Sequence, residues 1–358
     1  MNQIILQKLQ EPKLYAGIDL HKKYAYITIM DQLGYVTHQG RFENSEKKLV
    51  PFLTERNTAA PVEAIIESTY GWYWLGEELE SAKIAYVLAH PKKVHDLAKG
   101  RKTDKKDSQI LADLYRTNLL PEAYIPTPEE RNFRELLRFR FSLVQQKTGM
   151  QRRLRDILAK QNIECKYKDI LGKQAKEWLR EQPFRFPYKE EVGTILNLCE
   201  YLEKDIAVYT KKVTEQSTGN PASKLLESIP GIGELLALLL AVEIGDIKRF
   251  PNDRALASYA GLVPGVSSSG DKTHLGETSQ KSNPYIRWAL AEAVSHVVKK
   301  DPVYKAFYDK LEGKKGKSKA RVAIMHKLIR AIFFMLTKKV KFKIQQLPMD
   351  SSDSRIQT

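Results

Sequence analysis

Leu14-Tyr-Ala-Gly-Ile-Asp-Leu-His-Lys-Lys-Tyr-Ala-Tyr-Ile-Thr-Ile-Met-Asp-Gln-Leu-Gly34 reads as two strands in immediate succession. A short apolar run, Tyr15 to Ile18, ends in one carboxylate, Asp19. A second run, Tyr24 to Met30, follows in strand fashion, and Asp31-Gln-Leu-Gly34 makes the turn. An acid in a run otherwise patterned as a buried central strand is costly unless it is paired or holds a metal. Asp19 is therefore a candidate functional group. The plainer alternative is an acid that caps the hairpin turn.

Working outward, residues 14 to 119 alternate strand and helix. Tyr35 to Phe42 continues as a third strand. Asn44-Ser45 is placed to cap a helix through about Glu55, with Pro51 expected to kink or shorten it. Val62-Glu-Ala-Ile-Ile-Glu67 is a fourth strand, again apolar and again closed by a carboxylate, Glu67. A helix carrying Leu75 and Leu79 leads to a fifth strand, Ile84 to Ala89, closed by His90-Pro91. Three consecutive strands followed by alternating helices and strands indicate one mixed sheet with helices packed on it. Asp19 and Glu67, at the ends of two strands, are then expected side by side. Lys99 to Leu114 opens a helix with Thr103 or Asp104 as N-cap. Asp104 and Asp107 are three apart, so in a helix they share a face; the bland reading is two first-turn acids favouring the helix dipole.

Beyond a proline-punctuated linker from Pro121 to Pro128, Arg131 to Gln161 forms a long helix with near-heptad Leu136, Leu143, Met150, Leu154 and Ile157. Glu191 to Val213 repeats the habit, so an antiparallel coiled-coil hairpin is expected, with Phe184 to Pro187 in its turn-rich connection. Leu225 to Ala237 contains Ser228-Ile-Pro-Gly-Ile-Gly233, a helix end, tight turn and apolar helix of helix-hairpin-helix type. Gly231 and Gly233 there let backbone N–H groups approach a phosphate. A run of Ser267, Ser268, Ser269 and Gly270 follows the helix that ends at Gly261; on composition alone it is a flexible polar loop. Lys272, His274, Lys281 and Arg287 lie close by in sequence. Helices follow from Pro284 to Lys299 and from Arg321 to Leu336. Gly313 to Lys319 between them is expected as a flexible basic loop offering Lys314, Lys315 and Lys317 to phosphates.

Composition narrows the function. The 358 residues carry 59 Lys and Arg against 43 Asp and Glu, a net charge of +16, with 42% hydrophobic residues. Between Lys281 and Lys343 there are seventeen basic and four acidic residues, a field that favours a polyanion, with nucleic acid the obvious one. The longest apolar run, Leu235 to Val242, is too short to span a bilayer, so no membrane partner is expected. Cys165 and Cys199 form no CxxC pair, which fits free thiols and a cytoplasmic location.

Asp19, Glu67, Asp104 and Asp107 together make a set of hard oxygen donors. Two magnesium ions held by such a set can activate a nucleophile and stabilise a leaving oxygen in phosphodiester cleavage. Without a cation, the four acids would raise one another's pKa.

The chain resembles the DEDD-type insertion-sequence transposases, relatives of the pilin-gene DNA invertases. The resemblance runs through Gly17-Ile-Asp19, Ile66-Glu67-Ser-Thr, Lys102-Thr-Asp-Lys-Lys-Asp107, Ser228 to Gly233, and Ala260-Gly-Leu-Val-Pro264 with Ser269-Gly270. It implies an α/β RNase H-like, RuvC-like catalytic domain at 12–120. A linker and coiled-coil hairpin follow at 121–218. A mainly α domain with the helix-hairpin-helix-like motif, serine loop and basic helices occupies 219–345, and a disordered tail 346–358. It also implies that the four acids hold the metal and that a serine covalent nucleophile on DNA falls on Ser269, with Ser267 and Ser268 adjacent. Donor and target DNA, an element-encoded noncoding guide RNA, and a homodimer or homotetramer are the implied partners. The serine would meet an acid set across that oligomer, with the coiled coil as the joint. Other classes weighed are a sugar-kinase or actin-like ATPase, a non-catalytic nucleic-acid-binding protein, and a hydrolytic junction resolvase that would need the acids but not Ser269.

Overall fold

The computed structural model describes residues 12–344 except 46–47, 70, 98–102, 218, 270–271 and 279–281. Two compact units divide at Pro128. The N-terminal unit is a mixed six-stranded sheet: β1 (Leu14–Leu20), β2 (Tyr24–Met30), β3 (Val36–Glu43), β4 (Val62–Glu67), β5 (Ala85–Ala89) and β6 (Glu122–Ala123), in the order β3-β2-β1-β4-β5-β6. β1 runs antiparallel to β2 and parallel to β4, so β1 is central.

The alternation of β1 decides which helix covers which face. Ala16, Ile18 and Leu20 pack with Ile27, Ile29, Leu49, Leu53, Leu75 and Leu79, beneath helices α1 (Leu49–Ala59) and α2 (Trp72–Ser81). Tyr15 packs on the opposite face with Ile65, Val87, Leu111 and Leu114, where α3 (Pro91–Leu97) and α4 (Asp104–Arg116) lie. Gly17 and Asp19 share the Tyr15 parity, which directs Asp19 to the α4 side.

Pro51 does not kink α1. It is the third helical residue, where the missing N–H has no intrahelical acceptor to lose. The stretch Pro121 to Pro128, expected as linker, opens with β6, which pairs antiparallel with β5. Helix α3 begins at Pro91 itself, a residue suited to a first turn.

The C-terminal unit is mostly helical. α5 (Pro128–Lys160) and α7 (Tyr188–Gln216) run antiparallel: Arg140 Nε donates to Thr210 Oγ1 at 3.1 Å, Lys147 meets Glu203, and Arg153 meets Glu191. As residue numbers rise along α5, they fall along α7. The connection carries a further helix, α6 (Lys173–Glu181), whose Leu179 joins Leu154, Ile157, Leu196 and Cys199 in a separate small core. The main core of this unit is built from α8 (Pro221–Leu226), α9 (Glu234–Ile244), α10 (Asp253–Tyr259), α11 (Pro284–Lys300), α12 (Pro302–Lys315) and α13 (Lys317–Lys338). The basic stretch from Gly313 to Lys319 is not a loop. α12 runs through Lys315 and α13 starts at Lys317, leaving only Gly316, at φ +80°, as the break. Lysine is a good helix former, and a single glycine in that conformation suffices for the turn.

Among the described residues, no helix is long and apolar enough to cross a membrane. Cys165 and Cys199 are free thiols, the latter buried.

Candidate functional site

The acid cluster begins with a close helix–strand contact. A Cβ on Gly17 would stand 2.0 Å from the Ser108 carbonyl oxygen and 2.7 Å from the Ala112 nitrogen, both backbone atoms of α4. Only glycine lets the helix lie so near β1. A buried polar ladder then fixes its position: Gln39 Nε2 donates to Thr28 Oγ1 at 2.8 Å, and Thr28 and Ser108 share a hydrogen bond of 2.7 Å. Thr103 caps α4, its hydroxyl accepting from the Lys106 N–H at 3.3 Å. The first turn of α4, with Asp104 and Asp107, is thus held beside the end of β1.

This predicts a large effect. Gly17→Ala must push α4 off the sheet, at a cost of about 3 kcal/mol or more, the upper range for overpacking. Hydrogen exchange of the β1 and β4 amides in the full chain should rise accordingly; unchanged protection would contradict the packing account.

Asp19 is nearly enclosed, with 13% of its side chain exposed. His21 Nε2 lies 3.1 Å from Asp19 Oδ2 and 3.5 Å from Asp104 Oδ1, and Tyr24 donates its hydroxyl to Asp104 Oδ2 at 2.9 Å. Donor atoms of Asp19, His21 and Asp104 all fall within 4.8 Å of one another. Burial pushes the Asp19 carboxyl above its usual range; the His21 ring opposes this, and the charges of Asp107 and Asp104 add to it. Asp107 is therefore electrostatically part of the cluster. Glu67 is placed by register: Ile18 pairs with Ile66 in parallel strands, and Asp19 and Glu67 are the next residues of β1 and β4, but neither Glu67 nor Asp107 is among the three convergent donors.

Two carboxylates and an imidazole are donors that suit a divalent cation. Three groups converge, and the burial that penalises the Asp19 carboxylate is the kind of cost a bound cation relieves. His21 and Tyr24 are contributors that the acid pattern alone does not reveal. The available signal was position: His21 is two residues past Asp19, and Tyr24 opens the next strand.

The serine run belongs to the C-terminal unit and is a strand, not a loop. β7 (Pro264–Ser269) pairs antiparallel with β8 (Lys272–Thr278), with Ser269 opposite Lys272, Ser268 opposite Thr273 and Ser267 opposite His274. Gly270 and Lys281 lie outside the described residues.

The neck of this hairpin is firmly built. The Asn283 N–H donates to the Tyr259 carbonyl at 2.9 Å, and its Oδ1 caps α11 by accepting from Tyr285 and Ile286. Its Nδ2 donates at 2.7 Å to Glu243 Oε2, a carboxylate with no exposure. Arg138 of α5 binds the same carboxylate through Nε at 2.7 Å and Nη2 at 3.0 Å. Arg287 donates to the Gly261 carbonyl at 2.9 Å, so its guanidinium also serves the neck. A buried carboxylate so fully paired fixes geometry more than it adds stability.

The glycines of the α8–α9 turn differ. Gly231 has φ +86°, and a Cβ there would come within 2.5 Å of the His296 side chain, so its close approach is to α11. Gly233 is the N-cap of α9 with open space at its Cβ position. Lys314, Lys315 and Lys317 are exposed, and Lys317 lies 4.0 Å from Glu312.

Two family models match this chain. Residues 16–162 match a DEDD-type model named for IS110 and described as Transposase; residues 223–309 match one described as Transposase IS116/IS110/IS902 family. The transposase for insertion sequence element IS1111A of Coxiella burnetii is 25% identical over 341 residues, spanning 91% of this chain and 90% of that protein. A probable family 20 transposase of Pseudomonas aeruginosa is 23% identical over 76% of this chain and 82% of its own length. The pilin gene-inverting protein of Moraxella bovis is 35% identical over 130 residues, 34% of this chain and 39% of the relative. The class these define is the insertion-sequence transposase. The chain belongs to the DEDD-type IS110/IS116 family of such enzymes.

Proposed function

We propose that this transposase cuts and rejoins DNA strands with Asp19, Glu67, Asp104 and Asp107 as a metal site and Ser269 as a covalent nucleophile. The observation that carries the reading is the convergence of Asp19 and Asp104, from a central strand and a helix 85 residues later, on one sheet face. The strand order β3-β2-β1-β4-β5, with β1 antiparallel to β2 and parallel to β4, supports the RNase H-like, RuvC-like fold. A pair of divalent cations, magnesium in this reading, would supply charge neutralisation at the phosphodiester and at the leaving oxygen.

The chain's own groups do the rest. The acids hold the site; Tyr24 and His21 orient Asp104 and Asp19. Ser269 forms a bond from its oxygen to phosphorus as the P–O bond to the adjoining nucleotide breaks. The serine proton passes to a neighbouring base, and the displaced DNA oxygen gains one. Rejoining reverses this, with a DNA hydroxyl releasing the serine. Because the ester keeps the phosphodiester energy, no external energy source is required. The acid set and Ser269 would meet in a homodimer or homotetramer on DNA, with the α5–α7 hairpin as the joint.

Phosphate contacts are assigned to the α9 N-terminus after Gly231 and Gly233, read as a helix-hairpin-helix, and to the exposed lysines 314, 315 and 317. Lys272, Lys281 and Arg287 complete the proposed nucleic-acid-binding set, although Arg287 also holds the hairpin neck. The guide RNA that chooses donor and target rests on the family resemblance, and a cytoplasmic location rests on the two unpaired cysteines. Cleavage of element-end DNA should stop in chelator and return when magnesium is restored; full activity in chelator would overturn the metal mechanism.

A further inference from the structure

The geometry points to a phosphate-binding subsite at Arg41, supported by Tyr24, immediately beside the acid set. It takes a DNA phosphate flanking the one that is cut, and it presupposes that a DNA strand crosses Asp19 and Asp104.

Three strands supply the alignment. Asp19 pairs with Tyr26, and Tyr26 pairs with Arg41, so the three residues form one row across β1, β2 and β3. Directly opposed residues in antiparallel strands share a face. Arg41 is thus on the same face as the acids, at the same level, two strands away. Its guanidinium carbon sits 3.7 Å from the centroid of the Tyr24 ring. The Tyr24 hydroxyl binds Asp104, and the His21 ring lies 4.7 Å from the Tyr24 ring. One aromatic ring therefore touches the cation, the imidazole and the acid set together.

Charge explains the need. Carboxylates that gather a metal also repel the phosphates on either side of the scissile one. A cation fixed at the edge of the set offsets that repulsion and holds the strand in register. Arg41 is exposed, yet the ring beneath it restricts its side chain, which lowers the entropy lost on binding. Its planar guanidinium can rest on tyrosine and still present N–H donors at its edge, a geometry lysine does not reproduce.

The test uses the full chain in chelator, so that it reads binding and not cleavage. Fluorescence anisotropy follows a single-stranded oligonucleotide of the element end across a salt series. Arg41→Gln should weaken binding and reduce the slope of log affinity against log salt by about 0.7, the loss of one phosphate contact. Arg41→Lys should recover the slope but not the full affinity. A neutral methylphosphonate placed beside the cleavage position should erase the difference between wild type and Arg41→Gln. An unchanged slope in Arg41→Gln overturns the subsite, as does sensitivity that maps to a phosphate far from the cut. Wild-type cleavage in chelator would instead overturn the metal reading and leave these slopes as they are.

Discussion

Asp19→Asn should abolish DNA strand cleavage and transfer, lowering the rate on the order of a thousandfold or more, while leaving DNA binding intact. The amide keeps the shape of the side chain and can still meet His21, so the fold has little reason to change. What it loses is the anionic donor. In the native chain burial raises the pKa of that carboxyl, Asp107 and Asp104 add to the rise and His21 opposes it, and a bound cation would relieve the remaining cost. Asp104→Asn should behave in the same way, because Asp104 reaches the same point from α4 and takes a hydrogen bond from Tyr24. Glu67→Gln and Asp107→Asn should be milder, since water can replace one ligand of four. Cleavage of a labelled element end, with binding followed in parallel, checks all four. Wild-type-level cleavage by Asp19→Asn would remove the acid set from the mechanism.

Ser269→Ala separates a recombinase from a hydrolase. A resolvase that uses water needs only the acids, and the alanine variant would then cut DNA almost normally. In the proposed reading the variant loses both the protein–DNA ester and strand exchange. An ordinary serine hydroxyl is a weak nucleophile and requires a metal or base beside it. The chain leading into this hairpin and the chain leading out of it are tied by the Asn283–Tyr259 hydrogen bond, with Asn283 held in turn by Glu243 and Glu243 by Arg138, which suits the hairpin to carry such a group. The loss should approach background, about a thousandfold or more by analogy with removal of a catalytic nucleophile.

Much of the N-terminal unit was legible in the sequence. β2 and β4 have the bounds their apolar runs indicate, and Thr103 is the N-cap of α4. These elements are governed by local patterns: alternation in a sheet and a capping hydroxyl. β6 was not legible, because two residues pair only where β5 offers an open edge. The serine hairpin was hidden for a related reason: serine has no strong strand preference, and its pairing with Lys272 to Thr278 is visible only in three dimensions. At Gly316 the two glycines of a lysine-rich stretch suggested a loop, but helix propensity prevailed on both sides. In the site, Asp19 and Glu67 stood out as acids at the ends of apolar strands, whereas Asp104 and Asp107 also read as ordinary first-turn helix acids. His21 did not stand out, since a polar residue at a turn is unremarkable until Asp104 arrives from elsewhere in the chain. The requirement for Gly17 likewise appears only when α4 is laid against β1.

The most direct test of the whole account is to stop a reaction of wild-type protein with element-end DNA, digest the protein, and identify any peptide that carries a nucleotide. The predicted result is a phosphoester on Ser269, formed only with divalent metal and absent from both Ser269→Ala and Asp19→Asn. Attachment at Ser267 or Ser268 would move the nucleophile along β7 and keep the chemistry. Robust cleavage with no nucleotide on any peptide would contradict the covalent mechanism and leave a hydrolytic enzyme in its place.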